Sequence, residues 1–224
     1  MHDNPALFHS REVDDVVAVY FLVPAQTPPD LSPTRSALTV RALADLRKNL
    51  HKIGIPLRVH EITSHRDLPD AIARVASMVR ATTVAYNADY TQTELLGIDD
   101  ASIALDRSGF KTVGYAGTPV ISPGDVVKKD GTPYKVFTAF RRKWLEQVDI
   151  ASLEPLPPPR GQANVIEPVN EIGAFESTDA CFRQDLWPAN ELDAIGQLRR
   201  FVDTRGKYYA TKRDHPAFDS TSRL

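Results

Sequence analysis

Residues Asp15 to Pro24 read DVVAVYFLVP, an almost unbroken β-branched and aromatic run closed by proline. A strand with one wet face alternates apolar and polar residues. A strand apolar on both faces must be covered on both, which is the setting of a parallel sheet with helices above and below it. This run therefore fixes an α/β class, and the residues after it keep the beat. Ser32 and Pro33 supply an N-cap and a first-turn proline, Leu43, Leu46, Leu50 and Ile53 recur at helical spacing, and Gly54 ends the element. IPLRVHEI, Ile55 to Ile62, puts Ile55, Leu57 and Val59 at alternate positions, and Asp67 caps a second helix carrying Leu68, Ile72, Val75 and Val79. Thr82 to Asn87 predicts a third strand, Glu94 to Ser108 a helix, and Lys111 to Tyr115 a fourth strand after Gly109. Short connections between alternating elements predict a Rossmann-like, doubly wound parallel sheet with ligands at its strand carboxyl ends.

After Val120 the pattern changes. Asp130 and Gly131 make a turn between two short β-prone runs, and a helix follows from about Thr138 to Val148. Val136, Phe137, Phe140 and Trp144 form the stripe expected to be buried, with Arg141, Arg142 and Lys143 on the solvated side. Leu153 to Val169 holds five prolines and no periodic apolar face, which reads as an extended connector crossing a surface. From Glu191, Leu192, Ile195, Leu198 and Val202 share one helical face. One helix makes no core of its own. The expected organisation is an α/β domain over 1–150, a linker over 151–190, and the start of a helical domain over 191–224. The opening HDNPAL is turn and helix-start chemistry with no strand before it, so the sheet is expected to lack its first strand and to show an unpaired edge or gap. Both ends of the chain read as truncated.

With 42% apolar and 25% charged residues the 224-residue chain has the composition of a soluble globular protein. No apolar run approaches the roughly 18 residues needed to span a bilayer, and the N-terminus lacks the blocks of a signal peptide, so a cytoplasmic location without membrane contact is expected. The single Cys181 excludes an internal disulfide and a multi-cysteine metal site. There is no Gly-rich phosphate loop, nucleophile elbow or metal-spaced histidine pair, and His51, His60 and His65 are assigned surface roles. The net charge of -2 hides a basic tail, in which Arg199, Arg200, Arg205, Lys207, Lys212 and Arg213 outnumber Asp203 and Asp214. YNADYTQTE, Tyr86 to Glu94, ends the third strand where α/β sheets build pockets. It suits a polar heterocycle; equally, Glu94 can complement the next helix dipole while the tyrosines pack.

Several stretches, in order, resemble the DNA photolyase and cryptochrome family: HDNPAL, LSPTRSALTVRALADLRKNLHKIGIPLRVHEI, VAYNADY, GTPYKVFTAFRRKWL and, most specifically, YYATKRDHPAFDSTSRL at Tyr208 to Leu224. The resemblance implies an N-terminal antenna-type α/β domain, a long linker, and the first helix of an all-α domain that holds FAD. By position it implies that Tyr209 meets the FAD phosphates, that Thr221, Ser222, Arg223 and Leu224 begin the main flavin site, and that Arg213 contacts DNA phosphate. Thr93 and Glu94 fall where folate-binding members contact methenyltetrahydrofolate, with Thr93 replacing the asparagine expected in bacterial class I members. The implied activity is light-driven repair of cyclobutane pyrimidine dimers in UV-damaged DNA by a monomer. The alternatives are a cryptochrome-like photoreceptor and an inactive nucleotide-binding α/β module. No catalytic or metal-binding residue is assigned within this chain, and no repair by the chain alone is expected.

Overall fold

The computed structural model describes residues 1–22, 33–88, 102–117, 119–122, 124–149, 153–163, 187–215 and 217–218. Helix α1 (Pro5–Val13) begins where the side chain of Asn4 accepts the Leu7 N–H at 3.0 Å, with Pro5 filling the first helical turn, whose N–H groups have no intrahelical partner. The apolar run after Asp15 forms strand β1 (Ala18–Leu22), and helix α2 (Pro33–Lys52) leads to strand β2 (Leu57–Glu61). The two strands pair in parallel from Ala18 opposite Leu57 to Leu22 opposite Glu61. Leu43, Leu50, Ile55 and Leu57 form the main buried cluster, with Leu7, Ala18, Tyr20, Leu46, Ile53 and Val59 packed against it. Full burial of a residue such as Leu50 or Ile55 contributes about 2–3 kcal/mol. Val19, Phe21, Arg58 and His60 occupy the opposite face of this ladder, because strand side chains alternate.

Helix α3 (Leu68–Met78) buries Ala71, Val75 and Ala76. Asp67 precedes it as expected, but its carboxylate makes no bond to the helix. It turns back to accept the Ser64 N–H at 3.0 Å, because a single 3-10 turn over His65–Asp67 leaves Asp67 in helical rather than extended backbone. Strand β3 (Thr83–Ala88), a helix α4 over residues 102–107 and strand β4 (Lys111–Ala116) follow, and β3 pairs with β4 in parallel.

Parallel α/β architecture is thus present, but the sheet is interrupted. Among the described residues it consists of two two-stranded ladders, β1 with β2 and β3 with β4. Helix α1 joins them: Leu7 packs on the β1–β2 core, while the Ala6 N–H donates to Asn87 Oδ1 at 2.8 Å and His9 stacks on Tyr115 of β4. One edge of β1 and one edge of β3 carry no strand among the described residues.

The turn at Asp130–Gly131 closes one antiparallel bridge between Val127 and Pro133, with Gly131 at φ 79°. Helix α5 (Phe137–Gln147) corrects an expectation, since none of its residues is buried and Val136 and Phe137 are 63% and 74% exposed. An apolar stripe is buried only where another element covers it, and none of the described elements does so here. The connector over 153–163 runs extended across the α/β domain, held by Asp3 N–H to the Leu156 carbonyl at 2.8 Å and by Gln162 N–H to the Ile53 carbonyl at 2.8 Å. Helix α6 (Glu191–Arg200), capped by the Asn190 side chain, leaves Leu192 71% exposed. Among the described residues no helix is long and apolar enough to cross a membrane.

Candidate functional site

The basic tail continues α6 without a break in coiling. A wide turn over Phe201–Arg205 and a tight one over Gly206–Tyr208 lead into a one-turn helix α7 (Tyr209–Lys212). Such changes of helical pitch re-aim side chains relative to a uniform α-helix. Here they bring cations and rings together. Arg213 stands four residues after Tyr209, with its guanidinium carbon 5.9 Å from the ring centroid. Tyr209 also meets Phe201 edge to face, centroids 5.9 Å apart at 86°. The Tyr209 phenol therefore has its ring fixed by two neighbours while the residue stays 41% exposed. Arg213 also pairs with Asp214 at 3.6 Å in an exposed ion pair, whose contribution to stability is small.

Tyr208 forms the second half of the arrangement. Lys207 Nζ lies 4.9 Å and Lys212 Nζ 4.6 Å from its ring centroid, and Lys212 also approaches Phe218 at 4.9 Å. The chain then folds back through His215 N–H to the Lys212 carbonyl and Phe218 N–H to the His215 carbonyl. Cations held over aromatic faces keep their charge toward solvent while losing rotamer freedom, so this surface is a preorganised basic one. Sequence reasoning picked out Tyr209 and Arg213 and passed over Tyr208. The signal was available in the spacing, since Lys212 follows Tyr208 by one helical turn.

Of the residues expected to hold ligands, Tyr209 and Arg213 are thus brought to one turn. Thr221, Ser222, Arg223 and Leu224, and the antenna positions Thr93 and Glu94, lie outside the described residues. The start of the segment Tyr86 to Glu94 is described, and its residues make contacts within the α/β domain. Asn87 spends its amide on α1, accepting from Ala6 and donating to Asn4 Oδ1 at 2.9 Å. Tyr86 packs so close to β4 that a Cβ on Gly114 would lie 3.1 Å from the phenol. Among the described residues no group of His, Cys, Asp and Glu could hold a metal ion.

Comparison with known proteins gives this geometry a family. The chain is 30% identical over 212 residues to a deoxyribodipyrimidine photo-lyase of Salmonella typhimurium, covering 93% of this chain and 44% of the relative. It is 28% identical to the corresponding Escherichia coli protein, over 100% of this chain and 48% of that one. A bacterial class III photolyase from Agrobacterium tumefaciens superposes with a TM-score of 0.82 at 27% identity, covering 99% of this chain and 46% of the other. A Synechocystis cryptochrome shares the fold, with a TM-score of 0.67 at 22% identity over 95% of this chain and 46% of that one. The chain spans about half the length of the relatives it matches. The DNA photolyase profile matches residues 1–160, and the chain belongs to that family.

Proposed function

We propose that this chain supplies the antenna-type α/β domain and the first flavin-contacting residues of a deoxyribodipyrimidine photolyase, an FAD-dependent, light-driven enzyme that repairs cyclobutane pyrimidine dimers in DNA. The observation that supports this most is the pairing of Tyr209 with Arg213 on one exposed turn, inside a chain aligned along 93% or more of its length with proteins of that name. In this reading residues 1–150 form the antenna domain, 151–190 the linker and 191–224 the beginning of the helical flavin domain.

The donors present fit a pyrophosphate-bearing cofactor. Tyr209 offers a phenolic O–H on a ring held by Phe201, and Thr221, Ser222 and the backbone through Leu224 would add hydroxyl and amide donors for phosphate oxygens. Arg213 places a permanent charge beside Tyr209 and would meet the DNA backbone by charge-assisted bonds, positioning damaged DNA without reading its sequence. When bound and photoexcited, the reduced flavin supplies the electron that splits the dimer. Thr93 and Glu94 are proposed to hold an antenna folate.

The test is the absorption spectrum of the purified chain after separate incubation with methenyltetrahydrofolate and FAD and removal of free ligand. A retained folate band that weakens in Glu94→Gln is expected, along with weak flavin retention that falls in Tyr209→Ala. Retention of neither chromophore overturns the proposal for this chain. Blue light is expected to leave dimers intact when only these 224 residues are present.

A further inference from the structure

A guanidinium stripped of water needs acceptors or counter-charge in place of its hydration, because burying an unpaired charge is costly. Arg58 of β2 is 4% exposed, and its Nε meets no acceptor. Its Nη1 donates to the thioether sulfur of Met78 at 3.1 Å, and the group has no other hydrogen-bond or ion-pair partner among the described residues. A thioether is a weak acceptor. The cation is therefore under-satisfied, and the one atom it leans on is an atom whose acceptor strength chemistry can change. Met78 is the last residue of α3 and is 58% exposed, so a small oxidant reaches its side chain from solvent. The backbone beyond it is fixed. The Arg80 N–H donates to the Ser77 carbonyl and the Ala81 N–H to the Ala76 carbonyl, closing the helix with Arg80 at φ 55°.

We propose that Met78 is a site of reversible oxidation by a hydroperoxide and that its sulfoxide is held by Arg58. A sulfur lone pair takes one peroxide oxygen, the O–O bond breaking as the S–O bond forms. With hydrogen peroxide the departing hydroxide collects the proton of the transferred oxygen and leaves as water. The thioether loses two electrons and the peroxide gains them. A sulfoxide in a sealed core is disruptive, because it is a polar group with nothing to pair it. At Met78 the balance is reversed. The side chain gives up no sealed apolar setting, and the new oxygen meets a buried cation that lacks acceptors. An N–H···O bond of about 2.9 Å requires the sulfur to draw back from Nη1, which three rotatable side-chain bonds at an exposed position permit without moving α3. Oxidation thus tightens the joint between the end of α3 and β2. The chain's other methionine, Met1, packs against the main apolar cluster, where a sulfoxide has its ordinary disruptive effect. This site does not depend on the assignment of the tail.

The experiment treats the full chain with dilute hydrogen peroxide, measures the gain of one oxygen at Met78 by peptide mass spectrometry, and follows the melting temperature as the sulfoxide accumulates. Met78→Leu, treated alike, gives the contribution of Met1 and Cys181, which is subtracted. A net rise of about 2–4 °C is expected on oxidation of Met78, reversed by methionine sulfoxide reductase. In Arg58→Leu the net rise is expected to be lost. If that variant misfolds, Met78→Gln carries the comparison, since its amide oxygen is a permanent acceptor at similar reach. It is expected to melt above Met78→Leu with no oxidant present. Failure of peroxide to oxidise Met78, oxidation with no net rise, or an equal net rise in Arg58→Leu overturns the proposal, as does Met78→Gln melting at or below Met78→Leu.

Discussion

A Cβ placed on Gly54 would lie 2.1 Å from the backbone carbonyl oxygen of Gln162, so the turn that ends α2 and the connector that crosses the α/β domain fit only because Gly54 has no side chain. Gly54 also sits at φ 79°, a conformation that costs other residues about 1–2 kcal/mol. Gln162 is buried there and works as a stand-in strand residue. Its side chain accepts the Val16 N–H at 2.8 Å and donates to the Val16 carbonyl at 3.1 Å, extending the β1 pairing past the point where β2 begins.

Gly54→Ala is therefore expected to lower stability by roughly 2–4 kcal/mol, strain and collision combined, measured as a shift in the urea midpoint. Gln162→Ala, which removes the bonds to Val16, is expected to cost about 1–2 kcal/mol. The double variant should fall short of the sum, because Gly54→Ala already displaces the connector. Full additivity would show that the two residues do not share one docking event.

The interrupted sheet predicts a pattern of hydrogen exchange. The Ala18 N–H donates to the Pro56 carbonyl, so the amides of Ala18, Tyr20 and Leu22 point toward β2 and those of Val19 and Phe21 point to the edge that carries no strand among the described residues. By the same alternation, the Lys111 N–H to Thr82 carbonyl bond sets Val84 and Tyr86 toward β4 and Ala85 and Asn87 outward. The outward set is expected to exchange at least about tenfold faster than the inward set. Equal protection would mean that a strand occupies both edges.

Much of this was legible in the sequence, for a reason that also marks the limit. Leu43, Leu50 and the β1 run announce burial because periodic apolar residues have one stable disposition against a sheet. Val136 and Phe137 carry a similar signal and are exposed, since periodicity identifies an apolar face without supplying what covers it. Arg58 stands at a polar position of an alternating strand, yet it is buried. Gln162 carries no pattern at all, being one amide in a proline-rich connector. At the tail, Tyr209 and Arg213 were found through resemblance; their mutual geometry depends on the change of helical pitch between Phe201 and Tyr208, which no local pattern announces.

His60 gives a pH dependence with a definite sign. Its pKa is lowered in the folded chain by burial and by the positive charges of Arg58 and Arg74. The unfolded chain therefore takes up a proton first as pH falls through about 6.5. Stability contributed by keeping His60 neutral is complete above that value and is lost progressively below it, until the folded form protonates as well. A His60→Phe variant would keep an aromatic ring against Phe21 without titrating. Comparing urea midpoints at about pH 7.5 and 5.5, on either side of the unfolded value, the wild-type chain is expected to lose more stability than the variant, and equal losses would exclude His60 as the source.

The amino terminus and the first helix of the tail meet at Glu191. Its carboxylate accepts from the Met1 ammonium and from the His2 N–H at 2.8 Å, and approaches His2 Nδ1 at 3.2 Å. Burial works against the charged form, but these bonds outweigh it and lower the pKa below the usual glutamate value. A carboxylate with a lowered folded pKa contributes stability that is present above the unfolded value near 4.5 and is lost as pH falls through the folded one. The pair is partly exposed, so Glu191→Gln is expected to cost about 1 kcal/mol near pH 7. The difference between variant and wild type should shrink progressively as pH falls below the unfolded value near 4.5. A difference that stays constant over that acid range, measured by denaturant unfolding, would show that Glu191 acts by packing rather than by charge.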